Sequence, residues 1–253
     1  SAAQSDVTMI VVDNASRQDD FDAVSQIASE YDWVHVVRNE DNIGYFPGLN
    51  TGIAYLEDQK IPADVVMIGN NDMLVDADFI TNIETHQDVL AEHYVVCPNI
   101  ISAEGHAQNP HVVTGFSTLR WIVWRVHYSS FFASKMILSV ARALGSVGRR
   151  RDTQDHQAAG FIATGYGACY FLGPKYLTKG RRLFMPTFLM QEEYFLSHQL
   201  KELGQKPYYF PGITLHHVEH ATVKSVPKRI MWDYERASYK MMRKLEQKAK
   251  IFS

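Results

Sequence analysis

Through its first hundred residues the chain alternates apolar runs of strand length with amphipathic stretches. Val7 to Val12 is apolar and β-branched and stops at Asp13-Asn14-Ala15-Ser16, which predicts a strand running into a polar loop. From Asp19 to Tyr31, the residues Phe21, Val24, Ile27 and Ala28 recur at helical spacing. Trp33 to Val37 predicts a second short strand, and Gly48 to Leu56 a helix entered through a glycine-rich loop. Val65 to Gly69 predicts a third strand, Asp78 to Leu90 a helix, and Tyr94 to Cys97 a fourth strand. Such alternation implies an α/β domain with a mostly parallel central sheet flanked by helices.

The alternation then breaks. Phe116 to Leu144 is aromatic and aliphatic, studded with Arg120, Arg125, Lys135 and Arg142, and Ser146 to Gln157 is polar and reads as a loop. Together they predict a helical insertion over about 116–157. Strand signals return at Phe161 to Thr164 and Ala168 to Leu172. A helix is expected from Glu192 to Leu203 and a strand from Pro207 to Phe210. The division expected is a domain over 1–222 followed by a basic helix within 223–253, where Pro227 to Lys250 is rich in lysine and arginine.

Composition narrows the class. With 253 residues and 46% hydrophobic content, the chain can bury one large core. A net charge of −3 argues against nucleic acid as a partner. Cys97 and Cys169 lie in apolar runs and read as reduced core residues of a cytoplasmic protein. No uncharged apolar run reaches the roughly 18 residues of a membrane span. The chain opens at Ser1 and meets its first strand almost at once, so a further strand upstream is expected to complete the sheet.

Candidate chemistry gathers where the apolar runs end. Val65-Val66-Met67-Ile68-Gly69 gives way to Asn70-Asn71-Asp72, a cluster of hard oxygen donors suited to Mg²⁺ or Mn²⁺ bridged to phosphates. In open α/β sheets, ligands bind at such carboxyl edges. Asp13, at the end of the first strand, either starts an Asx turn or offers its carboxylate to a base or ribose. Asn42-Ile43-Gly44-Tyr45-Phe46-Pro47-Gly48-Leu49-Asn50 forms a strand-to-helix turn that allows close backbone approach to an anion. Gln191-Glu192-Glu193 opens a helix, where carboxylates either complement the macrodipole or supply a general base. His216-His217-Val218-Glu219-His220 holds three histidines in five residues. Zinc, or one histidine beside a Mn²⁺–diphosphate, fits that composition, as does a polar surface turn.

Taken in order, these segments resemble the family 2 glycosyltransferases of the GT-A fold, especially the rhamnosyltransferase-like bacterial branch. The resemblance is carried by Val11-Val12-Asp13-Asn14-Ala15-Ser16, the Asn42, Gly44, Gly48, Asn50 and Gly52 spacing, Asn70-Asn71-Asp72, Gly167-Ala168-Cys169, Glu192-Glu193 and His216. It spans about residues 6 to 222. It implies an inverting, metal-dependent transferase that uses a UDP- or dTDP-type sugar and builds cell-surface polysaccharide. The acceptor implied is a saccharide or a lipid-linked saccharide. On this resemblance Asp13 and Asn14 face the nucleotide, and Asn42, Gly44 and Asn50 form the nucleotide-sugar loop. Asn70 and Asn71 flank the donor, Asp72 and His216 meet the metal, and Glu193, with Glu192 beside it, is the base.

Three departures stand out. The metal motif begins with an amide where a carboxylate is usual, the acidic pair is Glu-Glu where Glu-Asp is usual, and the family's first strand has no counterpart among Ser1 to Ser5. They leave a second expectation open, a non-catalytic domain that binds a sugar nucleotide or a protein partner. For Phe116 to Leu144 and the basic helix, three roles remain: internal packing, a homo-oligomer contact, or peripheral docking on the inner face of a membrane.

Overall fold

The computed structural model describes residues 7–143, 156–180, 182–218 and 227–251. The upstream strand, most of the 146–157 loop, and Glu219 and His220 lie outside the described residues.

The chain begins with β1 (Met9–Asp13), α1 (Gln18–Ala28), β2 (Val34–Arg38) and α2 (Tyr45–Asp58). Next come β3 (Val66–Gly69), β4 (Met73–Leu74), α3 (Phe79–Thr85), α4 (Gln87–Glu92) and β5 (Val95–Ser102). Then follow α5 (Thr118–His127), α6 (Phe131–Ala143), β6 (Gly160–Phe161), β7 (Cys169–Leu172) and α7 (Pro174–Leu177). The chain ends with α8 (Glu192–Glu202), β8 (Tyr208–His217) and α9 (Lys228–Ile251). The α/β class holds, and the sheet is mixed. β1 and β2 pair in parallel as a unit of their own, and the larger sheet runs β3-β7-β5-β8-β4 with β6 on β8. β5 and β8 are parallel, but β7 lies antiparallel between β3 and β5.

Alternation sends neighbouring residues of one strand into two cores. Val95, Cys97, Tyr170 and Leu172 pack with Phe46 and Ile53 of α2 and with Leu196 and Leu200 of α8. Val96, Cys169, Phe171, Ile213 and Leu215 pack on the other face with Leu90 of α4. Both cysteines are buried and free, and burial pushes both thiols above their ordinary range. The sheet is therefore covered on both sides, which is why its strands read as near-continuous apolar runs.

Two elements depart from sequence expectation. The single helix expected over Asp78 to Leu90 is broken at His86, whose φ of −112° leaves helical geometry and whose ring meets Phe210 edge-on at 4.9 Å. β8 extends to His217 where a strand ending at Phe210 is expected. Pro211-Gly212 does not end it, because the β5–β8 register shifts between Pro98 and Asn99 and absorbs the irregularity.

The segment after residue 115 folds as two helices, α5 and α6. Trp121, Trp124 and Tyr128 pack on Trp232 and Tyr239 of α9, and Met242 of α9 packs on Tyr194 and Phe195 of α8. The basic terminal helix thus packs against both the insertion and the helix that carries the acidic pair.

One glycine ties the loop before α2 to the segment before α8. Gly44 has φ +93°, and a Cβ there would collide with the Phe188 carbonyl oxygen. Gly44→Ala should destabilise the fold by about 2–3 kcal/mol, a fall of roughly 5–10 °C in Tm. Thermal unfolding by circular dichroism measures this, and an unchanged Tm would contradict the close approach.

Candidate active site

Asp72 follows β3 at the end where the apolar run stops, and the Val218 amide donates to its carbonyl at 3.0 Å. That bond sets Asp72 against the end of β8. Its Oδ1 lies 3.2 Å from Nε2 of His217, and both side chains are largely shielded from solvent. The other ring nitrogen, Nδ1, lies 2.9 Å from Oε1 of Gln108, whose Nε2 donates to the Tyr166 hydroxyl at 3.4 Å. His217 therefore has Gln108 at one ring nitrogen and the Asp72 carboxylate at the other.

His216 does not reach Asp72. Residues on β8 alternate in burial, so Ile213, Leu215 and His217 point inward and His216 points out. His216 is exposed and lies 3.6 Å from Asp76. The histidine that the strand delivers to Asp72 is His217, while His216, the histidine expected to meet the metal, faces Asp76.

The acidic pair opens α8 from a strained turn. Met190 and Gln191 both adopt left-handed φ, 79° and 69°, which non-glycine residues rarely do. The Met190 amide donates to Oε1 of the buried Glu192 at 2.8 Å. Burial raises the Glu192 carboxyl, against backbone hydrogen bonds that lower it. Glu193 is differently placed. Its Oε1 lies 3.9 Å from Nε2 of His111, and its side chain keeps 20% exposure. Burial, and then the neighbouring Glu192 charge, push its carboxyl up to about 7. A carboxylate poised there can take or give a proton near neutral pH.

Aromatic rings bridge the two clusters. Tyr166 sits 5.9 Å from the His217 ring and 5.6 Å from that of His111, the neighbour of Glu193. Tyr45 donates to the Gly167 carbonyl at 3.3 Å. Its phenol is raised by burial and then by the charges of Cys169, Glu192 and Asp72. Asp72, His217, Glu192 and Glu193 therefore occupy one electrostatic neighbourhood.

The loop residues are mainly occupied with one another. Asn14 donates to Asn42 Oδ1 and to the Gly44 carbonyl, each at 3.0 Å, and accepts from Asn39 and the Ile43 amide. Asn50 donates to the Leu183 carbonyl at 2.9 Å and accepts its amide at 2.8 Å. Asp13 is buried, lies 3.2 Å from Arg38 Nε, and accepts the Ser16 amide at 3.3 Å. Asn70 donates its amide to the Ala168 carbonyl, and Asn71 is exposed. These bonds fix the shape of the loops that follow β1 and precede α2.

His217, Gln108, His111 and Tyr166 are the residues that sequence reading passes over. For His217 a signal existed, the alternation of Ile213 and Leu215 before it. For the other three, in loops between elements, no spacing rule identifies them.

Fold and site together define an α/β domain of GT-A type. The glycosyl transferase family 2 profile matches residues 1–151, over half of the 253, and the chain belongs to that family. Comparison with curated proteins returned no match. Among solved structures, GalNAc-T7 with UDP, GalNAc and Mn²⁺ is similar in fold at a TM-score of 0.51 and 11% identity. The alignment covers 86% of this chain and only 38% of that one. A197 from STIV gives a TM-score of 0.40 at 11% identity, over 85% of each chain.

A raised carboxyl has a thermodynamic signature. With a folded value of about 7 against an ordinary 4.5, Glu193 binds more proton in the folded state across that window. Its contribution to stability therefore declines as pH rises from 4.5 to 7. Glu193→Gln should flatten that decline and raise Tm relative to the native chain at pH values above the window. Melting curves across this range would contradict the assignment if the two proteins ran parallel.

Proposed function

We propose that the chain is an inverting, metal-dependent glycosyltransferase. It moves a sugar from a UDP- or dTDP-type donor to a hydroxyl of a saccharide or lipid-linked saccharide, in bacterial cell-surface polysaccharide synthesis. The observation that carries this reading is the Asp72–His217 contact of 3.2 Å at the strand end, with Tyr166 lying between the His217 ring and that of His111, the neighbour of the partly open Glu193 carboxyl. Family membership and a fold like that of a protein solved with UDP and Mn²⁺ support it.

The ionised Glu193 takes the proton of the acceptor hydroxyl. The acceptor oxygen bonds to the anomeric carbon as the bond from that carbon to the diphosphate oxygen breaks, and the nucleoside diphosphate leaves with both electrons. His111 Nε2 lies 3.9 Å from the Glu193 carboxylate. Glu192, anchored on the Met190 amide, keeps Glu193 basic by like-charge proximity.

A divalent ion fits Asp72 and His217. Their facing atoms are 3.2 Å apart, close to the spacing of adjacent ligands at roughly 2.1 Å around a small octahedral ion. Among the described residues no group of three or more His, Cys, Asp or Glu is arranged to hold a metal. Mg²⁺ or Mn²⁺ would therefore share its shell with the donor diphosphate, whose charge it would neutralise. Asn70 and Asn71 stand beside that position.

Calorimetric titration of UDP- and dTDP-sugars with Mn²⁺, with and without the ion, tests the donor site. Asp72→Asn and His217→Ala should each lower Mn²⁺-dependent donor affinity by roughly 10-fold or more, and His216→Ala should leave it unchanged. Equal affinities in all three would remove the metal assignment.

Glu193→Gln should lower kcat by roughly 10²–10⁴-fold with donor affinity kept. If Glu192→Gln alone shows that loss, the roles are exchanged. The sparse metal shell also favours a second reading, a domain that binds a sugar nucleotide without turnover. Donor binding with neither hydrolysis nor transfer by the native chain would establish that reading.

A further inference from the structure

The α5–α6 hairpin and the start of α9 form a surface that the transfer chemistry does not use. From Gly105 to Arg151 the sequence contains no Asp or Glu, while it contains Arg120, Arg125, Lys135, Arg142 and the run Arg149 to Arg151. Apolar side chains on these helices are left outside. On α5, Leu119, Ile122, Val123 and Val126 are exposed at helical spacing, and on α6 so are Phe132, Met136 and Val140. Phe132 is 72% exposed, an unusual cost for a phenyl ring in water.

Beside Phe132 opens a cleft of about 480 Å³ lined by Ser129 and Ser130, Phe131 and Phe132, Lys135, Arg229, Trp232 and Arg236. Its lining holds three cations and no acid. Arg229 and Arg236 lie 5.1 and 5.3 Å from the Trp232 ring centre, and Lys135 and Arg229 each lie 4.9 Å from that of Phe131. Arg236 is held by the Tyr128 carbonyl at 2.9 Å, and Arg229 has Asp233 at 3.2 Å on the exposed side. The buried Trp232 indole N–H has no hydrogen-bond partner among the described residues. The first turns of α6 and α9 both border the cleft, so two helix N-termini add positive potential there.

We infer that this face docks on an anionic lipid leaflet, with a lipid phosphate in the Lys135–Arg229–Arg236 cleft and Phe132 and Met136 set into the acyl boundary. Charge complementarity selects this occupant. A second copy of the same acid-free hairpin would bring like charges together, and nucleic acid would leave the apolar stripes in water. The inference stands apart from the donor chemistry, because none of its residues belongs to the acidic pair or the metal position.

Flotation of the full chain with mixed phosphatidylcholine–phosphatidylglycerol vesicles, against phosphatidylcholine alone, tests it. Binding should require the anionic lipid and weaken with salt. Lys135→Gln with Arg229→Gln should lower the partition coefficient roughly 30-fold, and Phe132→Ser with Met136→Ser roughly 10-fold or more. All four side chains are exposed, so circular dichroism should show the fold intact. A native chain that ignores anionic vesicles at low salt overturns the inference, as does binding that both double variants retain. A dimer in light scattering that Phe132→Ser with Met136→Ser dissolves would assign the face to self-association and also overturn it.

Discussion

Burying Ile213 and Leu215 on the inner side of β8 commits His217 to that side as well, because side chains on a strand repeat every second residue. A polar ring carried inward must find partners. Gln108 and Asp72 supply them, one on each ring nitrogen. Asp72 is itself held by the backbone bond from Val218, so the end of β3 and the end of β8 are locked together. The polar apparatus of the site is assembled by the demands of the hydrophobic core beneath it.

The opposite side of the site works by strain and partial desolvation. Met190 and Gln191 in left-handed conformations turn the chain sharply into α8, so that Glu192 folds back on the Met190 amide while Glu193 points toward His111. Two adjacent carboxyls thereby acquire different environments. One is buried and hydrogen-bonded. The other is partly open and meets the first as a like charge. Separating two chemically equal groups by environment is a general route to an acid–base assignment.

Much of this was legible in the sequence, and the failures have physical causes. Asp72 and the acidic pair could be picked out because an apolar strand and an amphipathic helix end or begin at them. The choice between His216 and His217 needed the register of β8, and Pro211-Gly212 obscured that strand's length. Asn50 is expected in the nucleotide-sugar loop on the family resemblance, and the structure gives it a further, structural partner. That partner is Leu183, 133 positions away, whose amide and carbonyl it satisfies. Gln108 lies 109 positions before His217, a pairing no local pattern encodes. The mixed sheet was likewise hidden, since an apolar run such as Cys169 to Leu172 has no direction until it is paired.

The separation of β1 and β2 from the larger sheet divides the molecule's stability unevenly. Among the described residues β1 and β2 pair only with each other, and α1 contributes only Ala28 to the buried core, leaving Ile27 and Val24 in water. What holds this unit is α2, where Gly52 lets Ile10 and Val12 approach closely, while Phe46 and Ile53 of the same helix reach the main core. Amide protons of β1 and β2 will therefore exchange through local opening, well before those of β5 and β8. The loop knitted by Asn14 and Asn42 sits at the border of these two regimes. Its order is set by a cooperative unit that can loosen without global unfolding.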